Sequence, residues 1–385
     1  MATVKAYETA SGTRYRVRYR KPDGAQTDKR GFRTKRDANL FLAGVEVKKA
    51  TGEYIDPSRG RETISTLVAT WFAARTDLKP SSRRVMEVTW RVHGDPEWSN
   101  VTVGQVTRER VQEWIAALHT GSEDEGLKGR SASTVRRAHG ILLSVLDDAV
   151  RDRRIPTNPA RGLSLPRATP RKARYLTHEQ VEALANASGE HSTLIYVLAY
   201  SALRWGEATE LRAADIDLTK RRITVSRNAV RVGQETVIGT PKTHKQRTVP
   251  FPAFLAPKLE ALIDGSDPTA LLFSDAQGQH LITPTSYKYT WYKRALKTAG
   301  LPSDLTIHDL RHTAASLAVS AGANVKAVQR MLGHASAAMT LDLYADLFDD
   351  DLDAVAVALD AARAKSNVGK MWANTPGDEE SAATE

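Results

Sequence analysis

The sequence predicts a multidomain chain: a small α+β N-terminal domain, an all-α domain, and a mixed, mainly-α domain with a small antiparallel sheet. Three observations lead there. Arg14-Tyr15-Arg16-Val17-Arg18-Tyr19-Arg20 alternates strictly between basic and apolar residues, the period of a strand. Apolar residues then recur at helical spacing from about residue 63 to residue 158. A proline-rich basic break closes that stretch, and beyond it helical patterns flank strand-like runs between Arg222 and Pro250. A chain of 385 residues suits two or three domains, each with a core of ordinary size.

Residues 1–60 form the first domain. On a strand, Arg14, Arg16, Arg18 and Arg20 share one face, while Tyr15, Val17 and Tyr19 share the other. Lys21-Pro22-Asp23-Gly24 is a turn, a second basic strand spans Thr27 to Thr34, and Lys35 to Lys49 reads as a helix. The expected product is a three-stranded sheet packed on one helix. Its arginine face suits a DNA groove, although a solvated sheet face gives the same pattern.

Residues 63–160 read as all-helical, with helices over Ile64–Arg75, after Pro80-Ser81-Ser82, after Thr107, and over Ser133–Arg151. The last of these opens with Ser131, Ser133, Thr134, Arg136 and Arg137, hydroxyls and guanidiniums at a helix N-terminus that suit a phosphate. Ile155-Pro156-Thr157-Asn158-Pro159 ends it, and residues 161–174 read as a basic linker able to run along a duplex. A third domain covers 175–364. It starts at the capping box Thr177-His178-Glu179-Gln180, continues through a buried helix from Thr193 to Tyr200, and then reads as a hairpin of Arg222–Val232 against Glu235–Pro250. An apolar helix over 350–364 can dock on its own domain or on a neighbour, and residues 365–385 form a polar, disordered tail.

Composition narrows the function. A net charge of +10 favours a polyanionic partner. The absence of cysteine removes disulfides, thiolate metal sites and cysteine nucleophiles. The N-terminus carries no apolar signal core, and no run is long enough to span a bilayer, so a cytoplasmic protein is expected.

Four clusters in the third domain carry chemistry. Arg204 and Glu207 flank a glycine turn at the end of the buried helix; alone they would be an ordinary ion pair. Lys242, Lys245 and Arg247 lie on a basic turn between strands. His308, Arg311 and His312 stand at i, i+3 and i+4 and share a helix face, where an imidazole can handle protons beside a held phosphate. His334 lies beside a helix break, and Tyr344 follows one short helix later. A metal would need further ligands, so no metal or other cofactor is expected. The carboxylate set of a two-metal nuclease and a GxxxxGK[ST] phosphate loop are both missing. What remains is cations for a phosphodiester, a nucleophile and an acid.

The string Arg204-x-x-Glu207, Pro241-Lys242-Thr243 with Arg247-x-Val249-Pro250, His308-x-x-Arg311-His312, Leu332-Gly333-His334-x-Ser336 and Tyr344 resembles the tyrosine site-specific recombinases of the phage integrase type over about residues 63–364. Residues 1–60 are similar to integrase arm-binding domains. One departure is Ala202, where the family often has glycine. The resemblance implies an arm-type DNA-binding domain, a core-binding helical (SAM-like) domain and a catalytic domain. It implies DNA cleavage through a 3′-phosphotyrosyl bond to Tyr344 and rejoining without metal or ATP. Arg204 and Arg311 would grip the scissile phosphate, with His308 as base, Lys242 as acid (Lys245 as fallback), His334 as phosphate donor and Glu207 behind them. Arg14, Arg16, Arg18, Arg20, Ser131, Ser133, Thr134, Arg136, Arg137, Lys245 and Arg247 are the expected DNA contacts. The implied partners are double-stranded DNA at core-type and arm-type sites and three further copies in a homotetramer, with a DNA-bending host factor and a directionality factor as accessories. A type IB topoisomerase-like nicking-closing enzyme and a non-catalytic DNA-binding regulator are the alternatives. The basic N-terminal sheet favours the integrase over the first, and the complete residue set favours it over the second.

Overall fold

The computed structural model describes residues 2–52, 54–122, 127–168, 173–240, 246–284, 290–344, 357, 359–360 and 363. The chain divides into two compact units, Met1–Pro170 and Arg171–Glu385, so the division falls in the proline-rich break.

The first unit opens with an antiparallel sheet of order β1-β2-β3, made of β1 (Thr3–Thr9), β2 (Gly12–Arg20) and β3 (Gln26–Phe32). The alternation in β2 sends Val17 and Tyr19 into a small core with Ala38 and Val45 of α1 (Lys35–Ala50). It leaves Arg18 and Arg20 exposed and Arg14 and Arg16 half-buried. The register also sets Asp28 opposite Arg18, and Arg30 binds the Asp28 carboxylate. The basic face therefore carries an acid that the β2 pattern alone does not reveal.

A separate core joins α2 (Ile64–Ala74), α3 (Pro80–His93), α4 (Asp95–Trp98), α5 (Arg108–Thr120) and α6 (Ala132–Arg151). In α6 the buried residues Val135, Ala138, Leu142, Val145 and Ala149 recur at steps of three and four. A minimal ladder of β4 (Gly121–Ser122) and β5 (Leu127–Lys128) corrects the all-helical expectation. The expected linker is also shorter than its sequence suggests. His139 Nε2 meets the Ala160 carbonyl at 2.8 Å, Arg108 donates to the Arg161 carbonyl at 2.7 Å, and Gln112 exchanges two bonds of 3.1 Å with the Ser164 backbone. Arg136 Nε donates to the Pro166 carbonyl at 2.9 Å. Side chains thus strap residues 160–166 onto the helices.

The second unit contains α7 (His178–Ala187), α8 (Ser192–Ser201), α9 (Trp205–Ala208), β6 (Ile216–Asp217), β7 (Arg222–Val225), β8 (Asn228–Val232), β9 (Glu235–Gly239) and β10 (Arg247–Pro250). It continues with α10 (Ala256–Ile263), α11 (Trp291–Thr298), α12 (Ile307–Ser320), α13 (Val325–Leu332) and α14 (Ala337–Tyr344). Helix α8 is apolar nearly all round and is buried, with α7 and α12 as neighbours. The single hairpin expected over Arg222–Pro250 is instead two ladders, β10-β7-β6 and β8-β9. The physical reason is burial: Ile223, Val225 and Val249 enter the core, whereas in the β8-β9 ribbon only Ala229 is buried and Ile238 stays exposed.

No helix among the described residues is long and apolar enough to cross a membrane. Of the expected 350–364 helix, Val357 and Leu359 are helical and exposed; most of it, and the tail 365–385, lie outside the described residues.

Candidate active site

Helix α8 ends at Ala202, whose φ of 57° and ψ of 25° are left-handed. An L-residue there costs about 1 kcal/mol, which is a backbone reason for the glycine that the resemblance led one to expect at this position. The turn delivers Arg204 to the N-cap of α9. Glu207 reaches back, its carboxylate accepting from the Arg204 backbone N–H and from Arg204 Nη1, both at 2.9 Å. Gly206 permits the approach of α9 to β8, because a Cβ there would stand 2.1 Å from the Ala229 carbonyl oxygen. Trp205, unexplained by the sequence, packs half-buried against the main core.

Glu207 is 1% exposed and carries a second partner. Arg247 of β10 grips it in a fork, Nη1 to Oε1 at 2.9 Å and Nη2 to Oε2 at 2.6 Å. Burial would raise the Glu207 pKa, but the Arg247 hydrogen bonds and charge, with Arg204 behind them, hold it down at about 2.

Helix α12 contributes Arg311, 3% exposed. Its Nη1 donates to the Ala202 carbonyl and its Nη2 to the Leu332 carbonyl. The guanidinium is thus braced between the α8 turn and the end of α13, and no described residue takes its Nε–H or the second hydrogen on each Nη. Burial, then the like charge of Arg204, lowers its pKa to about 9, so it stays charged at neutral pH. Arg204 has only Glu207 as a described side-chain partner and keeps further donors open.

Gly333 caps α13 with φ of 64°, and the next residue, His334, places Nδ1 3.0 Å from Thr340 Oγ1. Burial and the charges of Arg311 and Arg204 hold His334 down at about 4. Tyr344 lies on α14, 1% exposed, with its hydroxyl 2.8 Å from Nδ1 of His312. Burial pushes that hydroxyl up to about 12 against the opposing pull of Arg311. His308, the base expected from the resemblance, meets His312 edge to face at 5.0 Å rather than Tyr344 itself. His308 retains exposed surface, yet crowding by protein atoms and the neighbouring His312 and Arg311 lower it to about 4.

The structure therefore gathers Arg204, Glu207, Arg311, His334 and Tyr344, and adds two side chains to them. His312 was visible in the sequence as the i+4 neighbour of His308. Arg247 was read as a DNA contact, and the structure corrects this, since Glu207 occupies its fork. Arg136 is exposed and donates through Nε to the Pro166 carbonyl, and Ser131 caps α6, accepting from the Thr134 N–H at 3.3 Å. Ser133 is exposed and Thr134 half-buried at that cap, and Arg137 is exposed. Lys242 and Lys245 lie outside the described residues.

The integrase of Mycobacterium phage D29 is 30% identical over 329 residues, covering 81% of this chain and 84% of the relative. That of Mycobacterium phage FRAT1 is 30% identical over 322 residues, covering 79% and 92%. Residues 174–350 match the model described as the phage integrase family. The chain belongs to the phage integrase family of tyrosine recombinases. Among solved structures, this recombinase resembles the Tn1549 transposon integrase in complex with a circular intermediate DNA, with a TM-score of 0.62 at 24% identity over 74% of this chain and 95% of that one. It also resembles a lambda integrase dimer bound to a core site, with a TM-score of 0.56 at 17% identity over 88% and 93%. These two likenesses show a shared multidomain fold of helices and small antiparallel sheets.

Proposed function

We propose that this tyrosine recombinase is the integrase of a mobile element, inserting and excising it at specific attachment sites through a 3′-phosphotyrosyl bond at Tyr344. The observation that carries the reading is the convergence of Arg204 and Arg311, both with donors that no described residue takes, beside buried Tyr344 and half-buried His312. Two guanidiniums suit the two nonbridging oxygens of one phosphodiester. The Tyr344 oxygen attacks phosphorus and loses its proton to the imidazole pair, His312 in contact and His308 beside it. The bond to the 5′-oxygen breaks, and Lys242 protonates that leaving oxygen. His334 donates to the phosphate as charge develops. A 5′-hydroxyl from another strand reverses the step, and the ester retains the energy of the broken linkage. No nucleotide is consumed.

The arginine face of β2 takes arm-type sites, and the helices from α2 to α6 take core-type DNA. Four copies act together on two duplexes, with a DNA-bending host factor and a directionality factor as accessories, in the cytoplasm of the host cell. The test is a covalent trap. Purified chain is incubated with fragmented DNA from candidate host and element genomes, and adducts that survive denaturant are sequenced. Adducts at one recurrent sequence, lost in Tyr344→Phe, are expected. Adducts at scattered sequences would favour a nicking-closing enzyme, and tight binding without adducts would refute the nucleophile.

A further inference from the structure

We propose that Arg247 is a positioning residue for strand cleavage: its guanidinium ties the Arg204 motif and the Leu332-Gly333-His334 turn into one rigid frame. This rests on Arg204 and Arg311 being the phosphate clamp. Each of the three nitrogens of Arg247 has a partner. Two take the Glu207 carboxylate, and Nε donates to the Met331 carbonyl at 3.3 Å. Glu207 in turn holds the backbone and the guanidinium of Arg204. Met331 directly precedes Leu332, whose carbonyl braces Arg311, and lies three residues before His334.

The stem of Arg247 makes a further contact. A Cβ on Gly333 would lie 3.0 Å from Arg247 Cδ, so the left-handed turn before His334 is packed directly on this side chain. The base of Arg247 is fixed as well. Strand β10 pairs with β7, residue 247 opposite Val225, and Val249 is wholly buried. Its side chain is 10% exposed, too little for a groove contact. One guanidinium thus spans the two stretches of chain that carry Arg204 and His334, and it touches the residue next to the one that braces Arg311.

A plain counter-ion to Glu207 would need only the charge. A positioning role needs the planar fork and the Nε bond, and lysine separates the two. The experiment uses the full chain and a duplex of the sequence recovered from its own covalent adducts. Single-turnover adduct formation and duplex affinity are measured for the wild type, Arg247→Lys, Arg247→Met and Arg247→Met with Glu207→Gln, each across pH. Arg247→Lys is expected to hold affinity within about threefold while adduct formation falls about 10- to 100-fold, since a misplaced clamp acts on the chemical step. Arg247→Met removes the groups that hold the Glu207 carboxyl down, so its adduct rate gains a second loss on the acid side, beyond the one that protonation of the imidazole base gives the wild type. The added Glu207→Gln abolishes that limb. Wild-type rates in Arg247→Lys, or a loss in Arg247→Met that is uniform with pH, would overturn the proposal. If Arg247→Met fails to fold, Arg247→Lys alone decides. Absence of adducts from the wild type would instead sink the clamp reading on which the proposal rests.

Discussion

Replacing Arg311 with lysine tests the buried frame without any knowledge of the DNA site. The two bonds of Arg311 run from different nitrogens to carbonyls on separate segments, Ala202 and Leu332. A single ammonium cannot hold both in place of a fork. One buried carbonyl then loses its partner, at a cost of about 1–3 kcal/mol. The ammonium is also more strongly hydrated than a guanidinium and resists a position that is 3% exposed, which puts the cost in the upper part of that range, about 2–3 kcal/mol. For a unit of this size each kcal/mol lowers Tm by roughly 2–4 °C, so a fall of roughly 4–12 °C is expected for the 171–385 unit. Scanning calorimetry of the full chain, with and without the substitution, reads it directly. Because the charge survives, affinity for bulk duplex and its steep salt dependence should persist, while adduct formation drops by about 10²–10³ for a lost phosphate donor. An unchanged Tm would refute the reasoning, since the braces would then contribute nothing in solution.

Gly206→Ala should destabilise by about 3 kcal/mol or more, because its Cβ would stand 2.1 Å from a backbone oxygen that cannot yield; a melting temperature equal to wild type would exclude that close approach. Stability should fall in acid. Glu207 ionises more readily folded than unfolded, so its contribution is complete above its unfolded pKa and disappears as pH drops toward 2, a loss that Glu207→Gln should remove from a urea titration across pH. Seating a phosphate near His308 and His334, both held at about 4, should raise them and take up protons near pH 6, so binding heats should differ between buffers of different ionisation enthalpy. Cleavage should continue in excess EDTA; inhibition that added magnesium reverses would contradict clamping by guanidiniums alone.

The parts of the site that sequence made legible are those whose neighbours stand close in the chain. Arg204 and Glu207 are three residues apart, and their pairing follows from the glycine turn between them. His308, Arg311 and His312 share a face by helical period alone. What stayed hidden depends on distance in space. Nothing local distinguishes Arg247 from the basic residues beside it; only the pairing of β10 with β7, and its approach to α13, turns that guanidinium inward. The contact of Tyr344 with His312 rather than His308 depends on where α14 places the hydroxyl in space, which periodicity cannot supply. The fold divides the same way. The alternation in β2 and the stripe on α6 could be read directly, whereas the strap on residues 160–166 uses isolated side chains of α5 and α6 that carry no pattern.

The same geometry says how the resting site differs from a working one. Among the described residues Arg204 and Arg247 share the Glu207 carboxylate, Arg311 lies within reach of its charge, and Asp309 is turned to the Thr306 backbone and hydroxyl. Buried like charges are costly, and the lowered values of Arg311, His308 and His334 all record that cost. A site evolved only for stability would have shed one of these cations. Keeping them braced before DNA arrives means the donors need not reorganise when charge develops on a phosphate. The proposed nucleophile is set the opposite way. The Tyr344 hydroxyl, pushed up to about 12 by burial and held on His312, is almost wholly un-ionised at neutral pH. An anion between Arg204 and Arg311 would also place itself beside that imidazole pair and make it more basic. On the proposed mechanism the phosphate therefore strengthens the base that would accept the tyrosine proton, and attack would become favourable only once a target is held.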